Sequence, residues 1–330
     1  MLTGNRTTSI RDFLLTYGFV LIMVGVLIFF SLTNQNFLTI NNALSIMHTA
    51  APTIILASGL ALVIMTGKLD ISVGSIAFLS SGISALLMQR AGVSPLVALP
   101  LILIIGILLG ALNGFIVVVL RINPLITTLG AMIALRGIAL QITDSRVISI
   151  SEALRRMGNA KIGPVYFDIW VALVVLIIVH LLLIRTPFGR HVTAIGNNTE
   201  VASRLGVRVP WVSAMTFVLS GFFAALGGIF MLFQVGAIQP TMGSGYEFTA
   251  IALCVIGGVS LFGGEGTIIP GLILGGLTLT IIESGLNFMS ASPFAYPFVR
   301  GGIIFVAMYA DSLKSLVKPS VKLMTDEAVT

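Results

Sequence analysis

The sequence predicts an all-α fold: a polytopic membrane helical bundle of about ten spans. Three observations predict it. First, 57% of the 330 residues are hydrophobic and only 9% are charged, whereas a water-soluble domain is about one quarter charged. So few ions cannot build a water-facing surface, and the mean hydropathy of +1.08 agrees. Second, the charges are widely spaced, with none between Asp12 and Lys68, between Arg90 and Arg121, or between Arg208 and Glu247. A membrane-crossing helix needs roughly 20 mainly apolar residues, so each gap holds one helix or two. Third, runs such as Leu101–Leu112 are apolar on every face. A membrane barrel instead alternates apolar and polar residues, and a helix satisfies its own backbone groups in hydrocarbon. A barrel is excluded.

The first span is 13–31. Phe13–Ser31 is too long for the apolar part of a signal peptide, and no small-residue cleavage motif follows it. Spans 43–66 and 71–89 come next, interrupted by Asn41–Asn42 and by Gly67. The polar junction Lys68–Ser75 joins them, and there Asp70 or Ser72 is placed to cap the third helix. Spans 95–119 and 124–142 follow, the second opening on Pro124, where a first turn tolerates a missing N–H. The loop 143–167 is long enough for a short amphipathic helix around Ser151–Met157. Span 168–184 then leads into the polar, basic loop 185–210. Pro210 marks the start of span 211–233, and spans 248–262, 267–287 and 296–311 complete the bundle before a tail, 312–330. The whole of 1–330 reads as one transmembrane domain.

Basic residues in short loops set orientation. With the N-terminus in the cytoplasm, Arg6, Arg11, Lys68, Arg121, Arg185, Arg190, Arg204, Arg208, Lys314, Lys318 and Lys322 fall inside. Arg90, Arg146, Arg155, Arg156, Lys161 and Arg300 fall outside, eleven against six, with Arg136 inside a span. Both termini are therefore expected in the cytoplasm. The net charge of +6 does not signal nucleic acid, because these residues do not cluster. Lipid is the partner that such a surface requires. The single cysteine, Cys254, sits in an apolar run and reads as a small buried hydrophobe.

No catalytic constellation is present. Gly67-Lys68 is followed by Leu69, and position 62, where the motif needs its first glycine, is Leu, so no phosphate loop forms there, and neither a paired-histidine metal motif nor a serine elbow occurs. No cofactor or metal is implied, and the three histidines are scattered. The chain does not read as an enzyme. Two groups of residues carry the functional reading instead. In the inner loop, Asn198 or Thr199 can cap a short helix with Glu200 in its first turn, Arg204 in its last, and Gly206 ending it. Val201 and Leu205, four apart, lie on one face of that helix, which a protein partner or the membrane surface would cover. The second group is polar residues within or at the edge of spans: Asp70, Asn113, Arg136, Gln141, Glu247, Glu283 and Asn287. A charge at mid-bilayer costs roughly 2.5–3.5 kcal/mol, so it faces a partner or a watery path. Asp70 and Glu247 fall near span ends; Arg136 and Glu283 look deeper. Gly106, Gly110 and Gly114 recur every fourth residue, as do Gly271 and Gly275, and such faces serve close helix packing within one bundle or between copies.

At these residues the chain resembles the membrane permeases of ribose- and xylose-type sugar importers of the ATP-binding-cassette superfamily. The resemblance runs from about Asn36 to Ala310 through Phe37–Asn42, Gly67–Ser75, Leu129–Gly137, Thr186–Arg190, Ala194–Arg204, Gly245–Glu247 and Ile256–Gly266. It departs at Lys68-Leu69-Asp70, where many members read closer to Gly-Ile-Asp. It implies a type II importer-like permease working with an ATPase subunit inside, a periplasmic sugar-binding protein outside and a second permease copy, in a homodimer or heterodimer. Loop 185–210 would then couple to the ATPase through Arg190, Gly196, Asn198, Glu200, Val201, Arg204, Leu205 and Gly206. Asp70, Ser72, Asn113, Arg136, Glu247, Glu283 and Asn287 are the expected gate or path residues. Such a subunit sits in the bacterial inner membrane and moves a monosaccharide, a pentose or related sugar, by alternating access. Spans two to five and seven to ten are compatible with an inverted repeat. The alternative is a secondary transporter driven by an ion gradient, for which Glu283 is the best carboxylate.

Overall fold

Hydrocarbon offers no partner to an unpaired backbone amide, and helix is accordingly the dominant structure of the described residues. The computed structural model describes residues 10–292 and 294–317. The helices are α1 (Ile10–Thr33), α2 (Ile40–Met65), α3 (Val73–Ala91), α4 (Pro95–Val118) and α5 (Pro124–Ile142). After β1 (Ile148–Ser149), α6 (Glu152–Gly158), β2 (Lys161–Ile162) and β3 (Val165–Tyr166) come α7 (Phe167–Arg185), α8 (Pro187–Asn197) and α9 (Thr199–Arg204). The chain closes with α10 (Val209–Val235), β4 (Ala237–Ile238), α11 (Tyr246–Ile256), α12 (Gly271–Phe288) and α13 (Ala295–Val317).

Helix lies in all or part of each predicted segment, and among the described residues six helices are long and apolar enough to cross a bilayer: α2, α4, α5, α7, α10 and α12. The predicted eighth span, 248–262, is a half-helix. Tyr246–Ile256 is 11 residues, about 16 Å of rise against a hydrocarbon core of about 30 Å. Gly257 and Gly258, the latter at φ +86°, stop it, and the backbone stays irregular as far as Gly271. At the other end of the chain, α13 runs beyond the expected boundary of 311 to Val317. The remainder of the expected tail, with Lys318 and Lys322, lies outside the described residues, as does Arg6.

Two antiparallel strand pairs were not foreseen. β1 lies on β4 with Ile148 opposite Ile238, and β2 on β3 with Lys161 opposite Tyr166. Each is two residues per strand, too short to leave a signal of alternation. The helix expected around Ser151–Met157 is there as α6.

The core lies between α2, α3 and α10. α10 packs on α2, α3 and α4; α2 in turn packs on α11 and α12; α3 contacts α4 and α5, and α11 contacts α12 and α13. The small-residue stripe of α4 is spent inside the chain. Gly106 faces Gly221 and Ala225 of α10, Gly110 faces Phe217 and Gly221, and Gly114 faces Ala214. On α12, Gly275 faces the Leu253 carbonyl of α11. The packing of one bundle accounts for both stripes. Cys254 is buried, as expected, with its thiol on the Ala57 carbonyl at 3.6 Å.

Candidate functional site

Two ends of the bundle can be told apart by contact. At one end, β1 meets β4, α6 packs on α10, and Nδ1 of His48 on α2 lies 2.7 Å from an Asp168 carboxylate oxygen on α7. Gln234 of α10 donates to Asp168 at 2.6 Å and to the His48 carbonyl at 2.7 Å, and Tyr166 stacks on the imidazole. His48 is thus a packing residue, as its isolation in the sequence suggests. At the opposite end, the amide of Gly264 donates to the carbonyl of Met65 at 2.9 Å, which pins the segment after α11 to the last turn of α2.

The α8–α9 pair lies at this second end. Thr186 ends α7 and caps α8 by accepting from the Gly189 amide at 3.3 Å, while Pro187 supplies the first-turn proline. Asn198 then caps α9, accepting from the Val201 amide at 2.9 Å. Glu200 and Arg204 pair across one turn at 2.6 Å, Leu205 is the C-cap, and Gly206 leaves at φ +85°. The expected cap, charges and stop are all in place, with α8 as an additional helix ahead of them. Gly196 sits so close to the Met65 carbonyl and the Gly264 amide that no Cβ fits. Val201 and Leu205 are 50% and 79% exposed, and Arg190, Asn198, Glu200 and Arg204 are exposed as well. The result is a two-helix handle, fastened to the core at Gly196, with an apolar edge turned outward.

A second polar constellation lies inside. The segment 66–72 folds back after α2, so that Asp70 reaches Ser220 in the middle of α10. Asp70 is fully buried and accepts from the Ser72 amide at 3.0 Å, the Ser72 hydroxyl at 2.6 Å and the Ser220 hydroxyl at 2.8 Å. Asn113 of α4 donates to the Ser72 hydroxyl at 2.8 Å. Ser72 stands at the N-cap position of α3, but its side chain makes no capping bond. The capping expected of Asp70 or Ser72 is replaced by a knot that joins three helices.

Glu247, at the start of α11, is 5% exposed. Its Oε1 accepts from the Gly245 amide at 3.2 Å. Arg136 of α5 donates to the Met242 carbonyl at 3.4 Å and stands over the Phe78 ring. Arg300 of α13 donates to the Gly245 carbonyl at 3.4 Å and pairs with Glu283 of α12 at 2.6 Å. Within the fold, Asp70 and Glu247 are buried, while Arg136 and Glu283 are half-buried. Asn287 is exposed near the end of α12 and joins neither group. Glu283 also lines a cleft with Thr49, Thr53, Tyr246, Thr249 and Thr280.

Sequence reasoning missed Ser220 and Arg300. Arg300 was counted with loop charges, although it lies five residues inside the predicted last span and one acid, Glu283, stands in the span before it. That pairing was the available signal. A lone serine in an apolar helix gave none.

Residues 42–308 match the family described as the branched-chain amino acid transport system permease component. The chain belongs to that family. It is 30% identical over 315 residues to the ribose import permease protein RbsC of Haemophilus influenzae, covering 93% of this chain and 97% of the relative. The autoinducer 2 import system permease protein LsrC of Photorhabdus laumondii is 35% identical over 286 residues, 85% of this chain and 84% of its own. The D-allose transport system permease protein AlsC of Escherichia coli is 35% identical over 302 residues, 91% and 92% of the two chains. No solved structure matches the chain. The resemblance to sugar-importer permeases drawn from the motifs thus holds over most of the sequence, and the chain is a membrane permease component rather than an enzyme.

Proposed function

We propose that this permease carries a monosaccharide across the bacterial inner membrane by alternating access, driven by a separate ATPase that grips α8–α9. Pentose or a related sugar is the cargo this reading favours, since one relative is named for import of ribose, a pentose, and another for transport of D-allose, a hexose. A periplasmic binding protein delivers the sugar at the β1–β4 end, and a second permease copy completes the path. Both termini lie in the cytoplasm, and the chain crosses ten times, with the crossing begun by α11 completed by 257–270 within protein. Irregular backbone at membrane depth is tolerated where protein covers it. The packing supports an inverted repeat of α2–α5 and α10–α13. α4 lies on α10 as α12 lies on α2, α3 lies on α10 as α11 lies on α2, and α3 touches α4 and α5 as α11 touches α12 and α13.

The observation that carries the proposal is the handle. Its exposed Val201 and Leu205 want a partner, and its seat at Gly196 has no slack, so a push on α9 is transmitted to α2 and to the segment after α11 instead of being absorbed. Gly196→Pro, or Glu200→Lys with Arg204→Glu, should abolish ATP-driven sugar uptake while the protein still inserts. The double reversal is the sharper variant, because it keeps an ion pair within the exposed helix, itself worth only about 0.3–0.5 kcal/mol, and changes chiefly what a partner reads. Uptake measured in vesicles should fall to background in both. Normal uptake would remove the handle from the mechanism, and uptake that follows a proton gradient instead of ATP would replace it with a secondary transporter.

A further inference from the structure

Segment 242–247 gathers more polar groups than it pairs. Gly243 and Gly245 take φ of +70° and +79°, and the carbonyls of Met242 and Gly245 are met from different helices. Arg136 comes to the Met242 carbonyl from α5, and Arg300 comes to the Gly245 carbonyl from α13. Glu247 binds the Gly245 amide with one carboxylate oxygen only. Three buried atoms are left without a hydrogen-bond partner: Arg136 Nη2, Arg300 Nε and Glu247 Oε2. Both arginines lie within electrostatic reach of Glu247.

Orphaned polar atoms at membrane depth are costly and are kept where something else binds them. The set here is two donors and one acceptor, and with Glu283 on Arg300 its charges sum to zero. An anionic ligand would meet Glu247 and Glu283; an ammonium would meet two guanidinium groups. A hydroxyl can donate one hydrogen bond and accept two, so adjacent hydroxyls on a neutral molecule satisfy donors and acceptor together. We infer that Arg136, Glu247 and Arg300 form a recognition site for a neutral polyhydroxylated solute, with Glu247 Oε2 accepting from one hydroxyl and Arg136 Nη2 donating to a neighbour. The inference rests on the transport reading above and names where the cargo is held in this chain.

The permease alone, in lipid nanodiscs, is titrated with D-ribose and D-galactose, with ribose 5-phosphate as the anionic probe and glucosamine as the cationic one. Bound sugar is read by saturation-transfer NMR. The neutral sugars should give signal and the two charged probes little. Glu247→Gln and Arg136→Gln should each weaken binding about fivefold, the loss of one net hydrogen bond, and Glu152→Gln, on exposed α6, should not. Should Arg136→Gln fail to fold, Arg136→Lys, which keeps the charge but loses the fork of donors, should weaken binding in the same direction. Unchanged binding in the folded site variants, equal signal from the phosphorylated probe, or no neutral-sugar signal from the wild type would each overturn the site. ATP-driven uptake by the wild type is followed in parallel: its loss strikes the transport reading, whereas its persistence without sugar signal strikes this site alone.

Discussion

Two carboxylates begin two helices, yet their surroundings assign them different work. Asp70 has three hydroxyl or amide donors on it; Glu247 has one, and an oxygen left over. A satisfied buried carboxylate fixes a structure, because removing it strands every donor it held, at about 1–3 kcal/mol for each. Asp70→Ala should therefore unfold at markedly lower temperature, measured by thermal scanning in nanodiscs. Asp70→Asn should recover most of that loss, since its amide oxygen still accepts from Ser72 and its nitrogen can donate to the Ser220 oxygen. Uptake per folded molecule should also be retained in Asp70→Asn. A folded Asp70→Asn that does not transport would show that the charge itself is used. Nothing in the sequence separates the two acids, because what distinguishes them is Ser220, 150 positions away, against an arginine that leaves one oxygen bare.

At the scale of elements, the sequence was legible wherever a boundary is set by local chemistry. Pro124 and Pro210 open helices in the first-turn position, and Asn198 caps α9 as its spacing suggests. The end of α11 was not legible, because Val259–Phe262 continue the apolar run past Gly257 and Gly258. Past those glycines the segment is held out of helix by one tertiary bond, from the Gly264 amide to the Met65 carbonyl, and by a loop bond of its own, from the Ser260 amide to the Glu265 carbonyl at 3.0 Å. The glycine stripe of α4 was visible, but its partner was not, since α10 begins some ninety residues later. That contact makes a prediction of its own. A Cβ on Gly110 runs into the Phe217 carbonyl and comes within 3.1 Å of the Gly221 Cα, so α4 must move away from α10. Gly110→Val should cost about 1–3 kcal/mol of stability, the usual penalty of overpacking, whereas Gly25→Ala on α1, with nothing within 4 Å, should cost none. Equal unfolding temperatures for the two variants would mean that α4 and α10 are not in close contact.

At the scale of the whole molecule, composition gave the membrane bundle at once, while the site needed distances that no composition carries. Arg136, Glu247, Glu283 and Arg300 come from four helices, α5, α11, α12 and α13, and meet only through the fold of 242–247. Sidedness belongs to this scale too, because it concerns the two ends together. The α8–α9 handle shares its end with Met65 and Gly264, and α6 lies at the other, beside β1 and β4. If an ATPase drives the cycle, the handle must face the cytoplasm and α6 the periplasm. The chain is well suited to the test, since its one cysteine, Cys254, is fully buried and out of reach of a bulky reagent. Ser203 on α9 and Asn159 after α6 are both exposed, so Ser203→Cys and Asn159→Cys each offer one reactive thiol. With a membrane-impermeant maleimide on intact spheroplasts, Asn159→Cys should label and Ser203→Cys should not, and inverted vesicles should exchange the two. Labelling of Ser203→Cys from outside would put the handle where no cytoplasmic motor can hold it, and the coupling mechanism would fail with it.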